Sequence, residues 1–382
     1  MAPNGSLRLR SFGPDQFEPA FLNVVDHVYN GVDTYRAPLR FELKSLLKSG
    51  SPYYEHADAQ FFIVERDGTP IGRISAQIDT LVQKSMGPGT GQFGYFECEN
   101  DPDVAAMLFS AAEAWLKQKG MDRALGPFNP SINEEVGLLI EGFDRPNALL
   151  MPHGHPYYQT LVEENGYRQA KLLYAYDFNV LPGLPPKFAK MVDWADNNAD
   201  LSFRFVDRKR FDDDITLALD IFNDAWRDNW GFTPMTPAEA GRFRKSLKLI
   251  LKHDLGAFAI HKGVPVAFMF VLPDLNALTA DFRGRLLPFN WAKLLYRLQK
   301  QEFRDVRTAL LGTRRSLHNS RLSGILGIWL IEKLRRVVVS KYKAERSELS
   351  WILEDNKGIN NMLQSIGGKI YKRYAVYEKG LI

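Results

Sequence analysis

One pattern occurs twice in this chain. Leu161–Phe178 reads LVEENGYRQAKLLYAYDF, a short helical run that stops at a glycine and turns into an aromatic strand. The same grammar returns 201 positions later in Met362–Lys379, MLQSIGGKIYKRYAVYEK. A second echo pairs Phe61–Asp79 (FFIVERDGTPIGRISAQID) with Phe258–Leu272 (FAIHKGVPVAFMFVL), with Gly68/Gly263 and Pro70/Pro265 each 195 apart. Two apolar runs around such a turn predict a β-hairpin. A short alternating strand opens each half, SLRLR at Ser6 and LSFRF at Leu201. Matches in one order at near-constant offset indicate a tandem duplication. The fold must therefore be built from two similar units.

Between the copies, LPGLPPKF (Leu181–Phe188) has the proline content of a connector. The expected division is 1–180, a 181–188 linker, and 189–382. Each half reads as strand, two helices, hairpin, strand, long helix, strand, short helix and final strand. That order predicts an α/β (α+β) layer arrangement, a largely antiparallel sheet covered by helices. Gly166 and Gly367 stand where a helix ends in a left-handed turn, which glycine adopts cheaply. The strand after each is expected to pair back into the sheet.

Composition removes several classes. Cys98 is the single cysteine, too few for a disulfide framework, zinc ribbon or iron–sulfur cluster. The densest apolar run, ILGIWLI (Ile325–Ile331), falls far short of the about 18 residues that span a bilayer. MAPNGSLRLRSF lacks an apolar signal core, so a cytoplasmic protein is expected. Net charge is +4, but Arg283–Arg315 holds nine Lys/Arg against Glu302 and Asp305. Phosphates, nucleic acid or an anionic membrane would each suit such a cluster.

The element order resembles the GNAT (N-acetyltransferase) superfamily, once per half. FNDAWRDNWGFTPMT (Phe222–Thr236), GPFNPSINEEVGLLIEGFDRPNALLMPH (Gly126–His153) and SWILEDNKGINNML (Ser350–Leu363) resemble the double-GNAT proteins that include bacterial ceramide synthases. The resemblance implies two GNAT-like domains, each a mainly antiparallel twisted sheet flanked by helices. It implies transfer of a fatty acyl group from acyl-CoA to the amine of a long-chain sphingoid base. Other readings are a soluble amine acceptor, an aminoacyl-tRNA donor, or a non-catalytic ligand-binding double GNAT; nucleic acid is not expected as a partner.

GNAT proteins hold CoA pyrophosphate on an Arg/Gln-x-x-Gly-x-Gly/Ala turn that opens the long helix, where backbone amides and the helix dipole receive anionic phosphate. Arg321-Leu322-Ser323-Gly324-Ile325 matches it in the second half, with Leu326 departing at the last position and Arg314 and Arg315 nearby. The first half has Asp101, Pro102 and Asp103 there, an acidic start that would repel diphosphate. One donor site, in the C-terminal half, is predicted. Asn356 either contacts CoA or caps its helix, and Leu363 stands seven residues on, where many members carry an acidic tyrosine.

Amine attack on a thioester needs a base, and His318, Glu134 and Glu135 are the candidates, with His153 and His155 behind them. Glu134 and Glu135, after Ser131 and Asn133, also read as first-turn helix carboxylates. Asn223, Trp226, Asn229 and Trp230 are placed in the loop between the half's first two helices, where the acceptor is expected; His153 and Tyr157 of PHGHPYY are further acceptor contacts. A metal at the His-x-His pair is not expected, since no cysteine or acid joins it. Finally, Leu286–Phe303 places Leu287, Trp291, Leu294, Leu295 and Leu298 near one helical face, with Lys293, Arg297 and Lys300 elsewhere. Such a helix lies on an anionic membrane surface or packs internally; peripheral contact with the inner face of the membrane is the expectation tied to a lipid substrate.

Overall fold

The computed structural model describes residues 5–381. The first half contributes strands β1 (Leu7–Phe12), β2 (Ala57–Arg66), β3 (Thr69–Asp79), β4 (Thr90–Cys98), β5 (Arg123–Gly126), β6 (Phe128–Asn129), β7 (Glu135–Val136), β8 (Leu138–Glu141) and β9 (Arg168–Asn179). Its helices are α1 (Ala20–Val28), α2 (Arg40–Leu47), α3 (Thr80–Met86), α4 (Pro102–Gln118) and α5 (Tyr158–Glu164). The second half supplies β10 (Leu201–Phe205), β11 (Gly256–His261), β12 (Val264–Pro273), β13 (Asp305–Thr313), β14 (Arg346–Leu353) and β15 (Lys369–Gly380). Helices α6 (Pro186–Asn197), α7 (Phe211–Trp226), α8 (Pro237–Ile250), α9 (Leu275–Leu278), α10 (Asn290–Lys300), α11 (Arg321–Ser340) and α12 (Lys357–Ser365) accompany them.

Local rules explain much of this. Asp67-Gly68 and Lys262-Gly263 both take positive φ, 50° and 81° in one pair, 51° and 80° in the other. Two consecutive left-handed residues make the tight turn whose twist matches a hairpin, so β2–β3 and β11–β12 form as expected. Gly166 and Gly367 sit at φ 84° and 101° directly after α5 and α12.

The strands that follow those glycines do not return to their own half. One sheet of 13 strands runs β1-β2-β3-β4-β5-β15-β9-β14-β13-β12-β11-β10, with β8 also pairing β15. The final strand of each copy completes the other copy: β15 lies antiparallel to β5, Tyr377 opposite Gly126, while β9 lies antiparallel to β14, Arg346 opposite Asn179. The two exchanged strands also pair with each other from Lys369/Asp177 to Glu378/Arg168. Both strands thus pair back into the sheet as expected, and the new finding is that each does so beside the other half's strands. Strand periodicity specifies which face a residue occupies, not which neighbour it pairs with.

The core follows the same exchange. One cluster fills the second half around Phe258, Phe268 and Trp329, and another fills the first around Phe21, Phe61, Phe93 and Phe109. A third draws on both, joining Leu125, Leu139 and Leu173 to Leu353, Tyr374 and Val376. Asn147–Met151 is stitched into the second half: the Leu149 amide donates to Asp274 Oδ1 at 2.9 Å, and Asn276 Nδ2 donates to the Ala148 carbonyl at 2.9 Å. Buried Arg307 donates to the Leu149 carbonyl and, at 3.1 Å, to that of Ser350.

Candidate active site

Strands β13 and β14 are parallel and pair only from Asp305/Arg346 to Thr308/Leu349. Beyond that point each carries an extra residue against its outer neighbour: Phe270 faces Leu310 but Val271 faces Thr308, and Leu349 faces Tyr176 but Ile352 faces Tyr174. Bulges bend a strand and increase its twist. The pair therefore splays, leaving the facing edges of Ala309–Thr313 and Ser350–Leu353 without each other as partners. A cleft of about 800 Å³ occupies the wedge, bounded by Leu311–Thr313, Trp351–Leu353, the start of α11 and the start of α12.

Helix α11 presents its N-terminus to this cleft. Ser320 caps it, its Oγ accepting the Ser323 amide at 3.2 Å, and Ser323 and Gly324 line the wall. The first-turn amides of Arg321 and Leu322 have no preceding helical carbonyl, which makes this end electropositive. A Cβ added to Gly324 would meet nothing within 4 Å, so the space over it is open. Leu326, the departure from the expected pattern, is buried in the core, while Gly327 lines the cleft beside Met362 of α12. His318 lies exposed at the rim; its Nε2 is 2.8 Å from the Thr313 carbonyl, which can only accept, so Nε2 carries the hydrogen. Asn356 caps α12 through the Ile359 amide at 3.2 Å and lines the same cleft.

The equivalent place in the first half is filled twice. Asp101 caps α4 with its own carboxylate, accepting the Asp103 amide at 2.9 Å, and pairs with Arg66 at 2.6 Å. Phe128–Asn129 lies across β4: the Asn129 side chain accepts the Tyr95 amide at 2.6 Å, and a Cβ on Gly94 would lie 1.8 Å from the Phe128 carbonyl.

Behind the cleft, smaller cavities run toward the first half. Trp226, Asn229, Trp230 and Trp351 form the wall shared with an apolar pocket of about 80 Å³. Trp226 and Trp351 meet edge to face at 5.5 Å, and the Trp226 indole donates to the Leu311 carbonyl at 3.3 Å. Leu150, Met235, Phe243 and Leu247 then separate this pocket from a second of about 100 Å³. A third, of about 60 Å³, adds the inner face of α2, and a fourth, of about 40 Å³, ends at Arg73, Glu97 and His153.

Glu134 lines three of these cavities in succession. Loss of hydration pushes its carboxyl up to about 7; Arg242, 3.4 Å away, pulls the other way, and neighbouring Glu135 adds to the rise. Glu135 is likewise raised by burial, against a hydrogen bond of 3.2 Å from Asn129 Nδ2. At the far end Glu97 is also pushed up to about 7 by burial, with Arg73 and the Tyr29 and Tyr158 hydroxyls, at 2.6 and 2.7 Å, opposing. Burial holds His153 down at about 3, a neutral ring 3.0 Å from Thr34 Oγ1.

The same architecture occurs in solved structures that share little sequence with this chain. A tandem GNAT protein from the clavulanic acid biosynthesis pathway superposes with TM-score 0.58 at 10% identity, covering 99% of both chains. A GCN5-related N-acetyltransferase from Sphaerobacter thermophilus gives 0.54 at 12% identity, over 98% of this chain and 96% of that one. Such distant likeness establishes the fold. No family model matches the chain. Protein YghO of Escherichia coli (strain K12) is 39% identical over 365 residues, 94% of this chain and 92% of that protein. The bacterial ceramide synthase of Caulobacter vibrioides (strain NA1000 / CB15N) is 40% identical over 365 residues, 95% of this chain and 93% of that protein. The chain belongs to the family of these two proteins, and its fold is that of the tandem GNAT proteins.

In this acyltransferase the cleft gathers His318, Ser323, Gly324, Asn356, Trp226, Asn229 and Trp230, with Glu134 behind the tryptophans. Other expected residues stand elsewhere. Arg314 pairs with Asp220 and Arg315 with Asp228 at 2.6 Å, so both hold α7 and its following loop to β13. Arg321 is exposed, and Leu322 and Ile325 pack against the core. Asn223 and Trp226 belong to the last turn of α7, not to the loop after it. His153 and Tyr157 lie in the first half, where Tyr29 stacks between Tyr35 and His155; the Tyr157 hydroxyl donates to the Cys98 carbonyl at 2.9 Å. Glu134 and Glu135 are not in a helix: β6 and β7 form a ribbon around them. Buried Leu363 leaves no tyrosine at its position. Arg242, Arg307 and Trp351 were missed, each brought to the site by long-range folding. Among the described residues no group of His, Cys, Asp and Glu is arranged to hold a metal, and no helix is long and apolar enough to cross a membrane.

Proposed function

We propose that the enzyme transfers a fatty acyl group from acyl-CoA to the amine of a long-chain sphingoid base. The observation that carries this reading is the junction of the splayed cleft with a line of apolar cavities at Trp226, Trp230 and Trp351. A nucleotide thioester needs a polar groove with anion-binding amides, and the start of α11 suits its diphosphate. Its amide-bearing arm would lie between the parted edges of β13 and β14, bringing the thioester to the tryptophans. The filled counterpart in the first half supports a single donor site per chain.

The acceptor's alkyl chain would occupy the cavities, leaving its ammonium beside Glu134. Glu134 takes one proton from that ammonium and passes it to solvent. The neutral nitrogen attacks the carbonyl carbon, the C–N bond forms, and the C–S bond breaks. The nitrogen's second departing proton ends on the thiolate, giving amide and free CoA thiol. His318, with its Nδ1 open to accept, stands on the donor side as the second proton-handling group. A lipid acceptor would place the work at the inner face of the membrane.

Incubation with palmitoyl-CoA and sphinganine should release one thiol per N-acylated product detected by mass spectrometry; no turnover with any long-chain amine would defeat the reading. Gly324→Leu offers a separate check on the donor. Leucine favours the helix over glycine by about 1 kcal/mol, so Tm should hold or rise. Its side chain would nevertheless project into the open cleft, and acyl-CoA affinity should fall roughly ten- to a hundredfold. Unchanged affinity in calorimetry would remove α11 from the donor site.

A further inference from the structure

We infer that the Arg283–Lys300 face seats the enzyme on an anionic lipid bilayer, and that a long-chain amine passes from that bilayer beside α2 into the internal cavities. This rests on the acyltransfer reading above. Arg283–Lys300 contains five Lys/Arg and no Asp or Glu; Arg285, Arg297 and Lys300 pair with Asp26, Asp281 and Glu302, which leaves Arg283 and Lys293 as its unpaired cations among the described residues. Interleaved with them are apolar side chains held in water: Leu287 is 77% exposed, Phe289 75%, and Trp291, Leu295 and Tyr296 also face outward. The stripe foreseen in the sequence divides, since Leu298 is buried and Leu294 packs on the core while its neighbours point away. Helix α10 is thereby anchored by one side and leaves a basic, apolar side uncovered. That pairing of charge and exposed apolar surface complements acidic headgroups over hydrocarbon.

The face adjoins the cavities through one loop. The Arg40 amide donates to the Gly284 carbonyl at 3.0 Å, and a Cβ on Gly284 would lie 2.7 Å from the Pro38 carbonyl. The loop at Gly284 therefore touches the segment that opens α2. On that helix Leu39, Leu43 and Leu46, spaced for one face, line the third cavity, whereas Phe41 on the opposite face is 72% exposed. One short helix separates lipid-like surface from cavity.

The test compares full-length enzyme with the double variant Leu287→Glu/Phe289→Glu, both sites being exposed and outside the cleft. Wild type should float with phosphatidylglycerol vesicles, less with phosphatidylcholine, and release as salt rises. The variant should lose flotation and at least about tenfold of its turnover of sphinganine delivered in those vesicles. Its Tm and its turnover of a soluble short-chain amino alcohol should match wild type. Wild type that stays in solution with anionic vesicles, or a variant that keeps vesicle turnover, overturns the proposal. So does a solution dimer that the double variant abolishes, which would make this face a contact between copies. Flotation without turnover of any amine would instead count against the acyltransfer reading alone.

Discussion

Glu134→Gln is expected to lower kcat by about a hundred- to ten-thousandfold, the range for removing a positioned general base. Acyl-CoA affinity should be retained, because Glu134 lies behind the tryptophans rather than at the start of α11. In wild type kcat/KM should rise as pH passes about 7, where Glu134 loses its proton and can accept one from the ammonium. The variant should lack that inflection. Stability should move the opposite way. Burial raises this carboxyl above its ordinary value, so the folded state favours the protonated form; that contribution is complete at acid pH and is lost as pH climbs toward about 7. A neutral glutamine escapes the loss, so the variant should melt no lower than wild type at pH 8. An inactive protein that also melts much lower there would mark Glu134 as structural. An active one would return the base to His318.

Deletion of β15 is expected to abolish folding of the whole chain, not of the second half alone. Tyr374, Ala375, Val376 and Tyr377 are fully buried, and Tyr377 stands opposite Gly126 of the first half. Emptying each large site costs roughly 2–5 kcal/mol. Together they exceed much of the about 5–15 kcal/mol that holds a domain. On the proposed division, 1–180 and 189–382 produced separately should each lack a cooperative melt by circular dichroism. Produced together they should form a stable complex. A cooperative melt from 1–180 alone would show that the exchanged strand is dispensable.

The parts of the fold legible in the sequence were those governed by near neighbours. The two hairpins rest on a residue pair with positive φ, and the glycine stops rest on one residue each. The partner of each final strand was not legible, because β9 and β15 carry the same alternation whichever copy they complete. Ser131 and Asn133 read as the lead into a helix with Glu134 and Glu135 in its first turn, but Ser131 Oγ accepts the Asn133 amide at 3.3 Å and no helix follows. That bond serves a turn as readily as a helix cap, and here it makes a turn. Charge counts likewise could not say that Arg314 and Arg315 would meet acids of α7 and its loop. Nothing local linked Glu134 to Arg242, 108 residues away, although their ion pair lies at the centre of the candidate site.

Because each copy's last strand is the other's missing piece, a single-unit forerunner with this connectivity would have existed only as an interlocked pair with two equal clefts. Joined in one polypeptide, two such units would accept mutations independently while each framework stayed indispensable to the other. In this chain Phe128 and Asn129 lie across β4 and Asp101 caps the first half's long helix, while the same segment, carried on to Glu134, borders the cavities behind the second half's cleft.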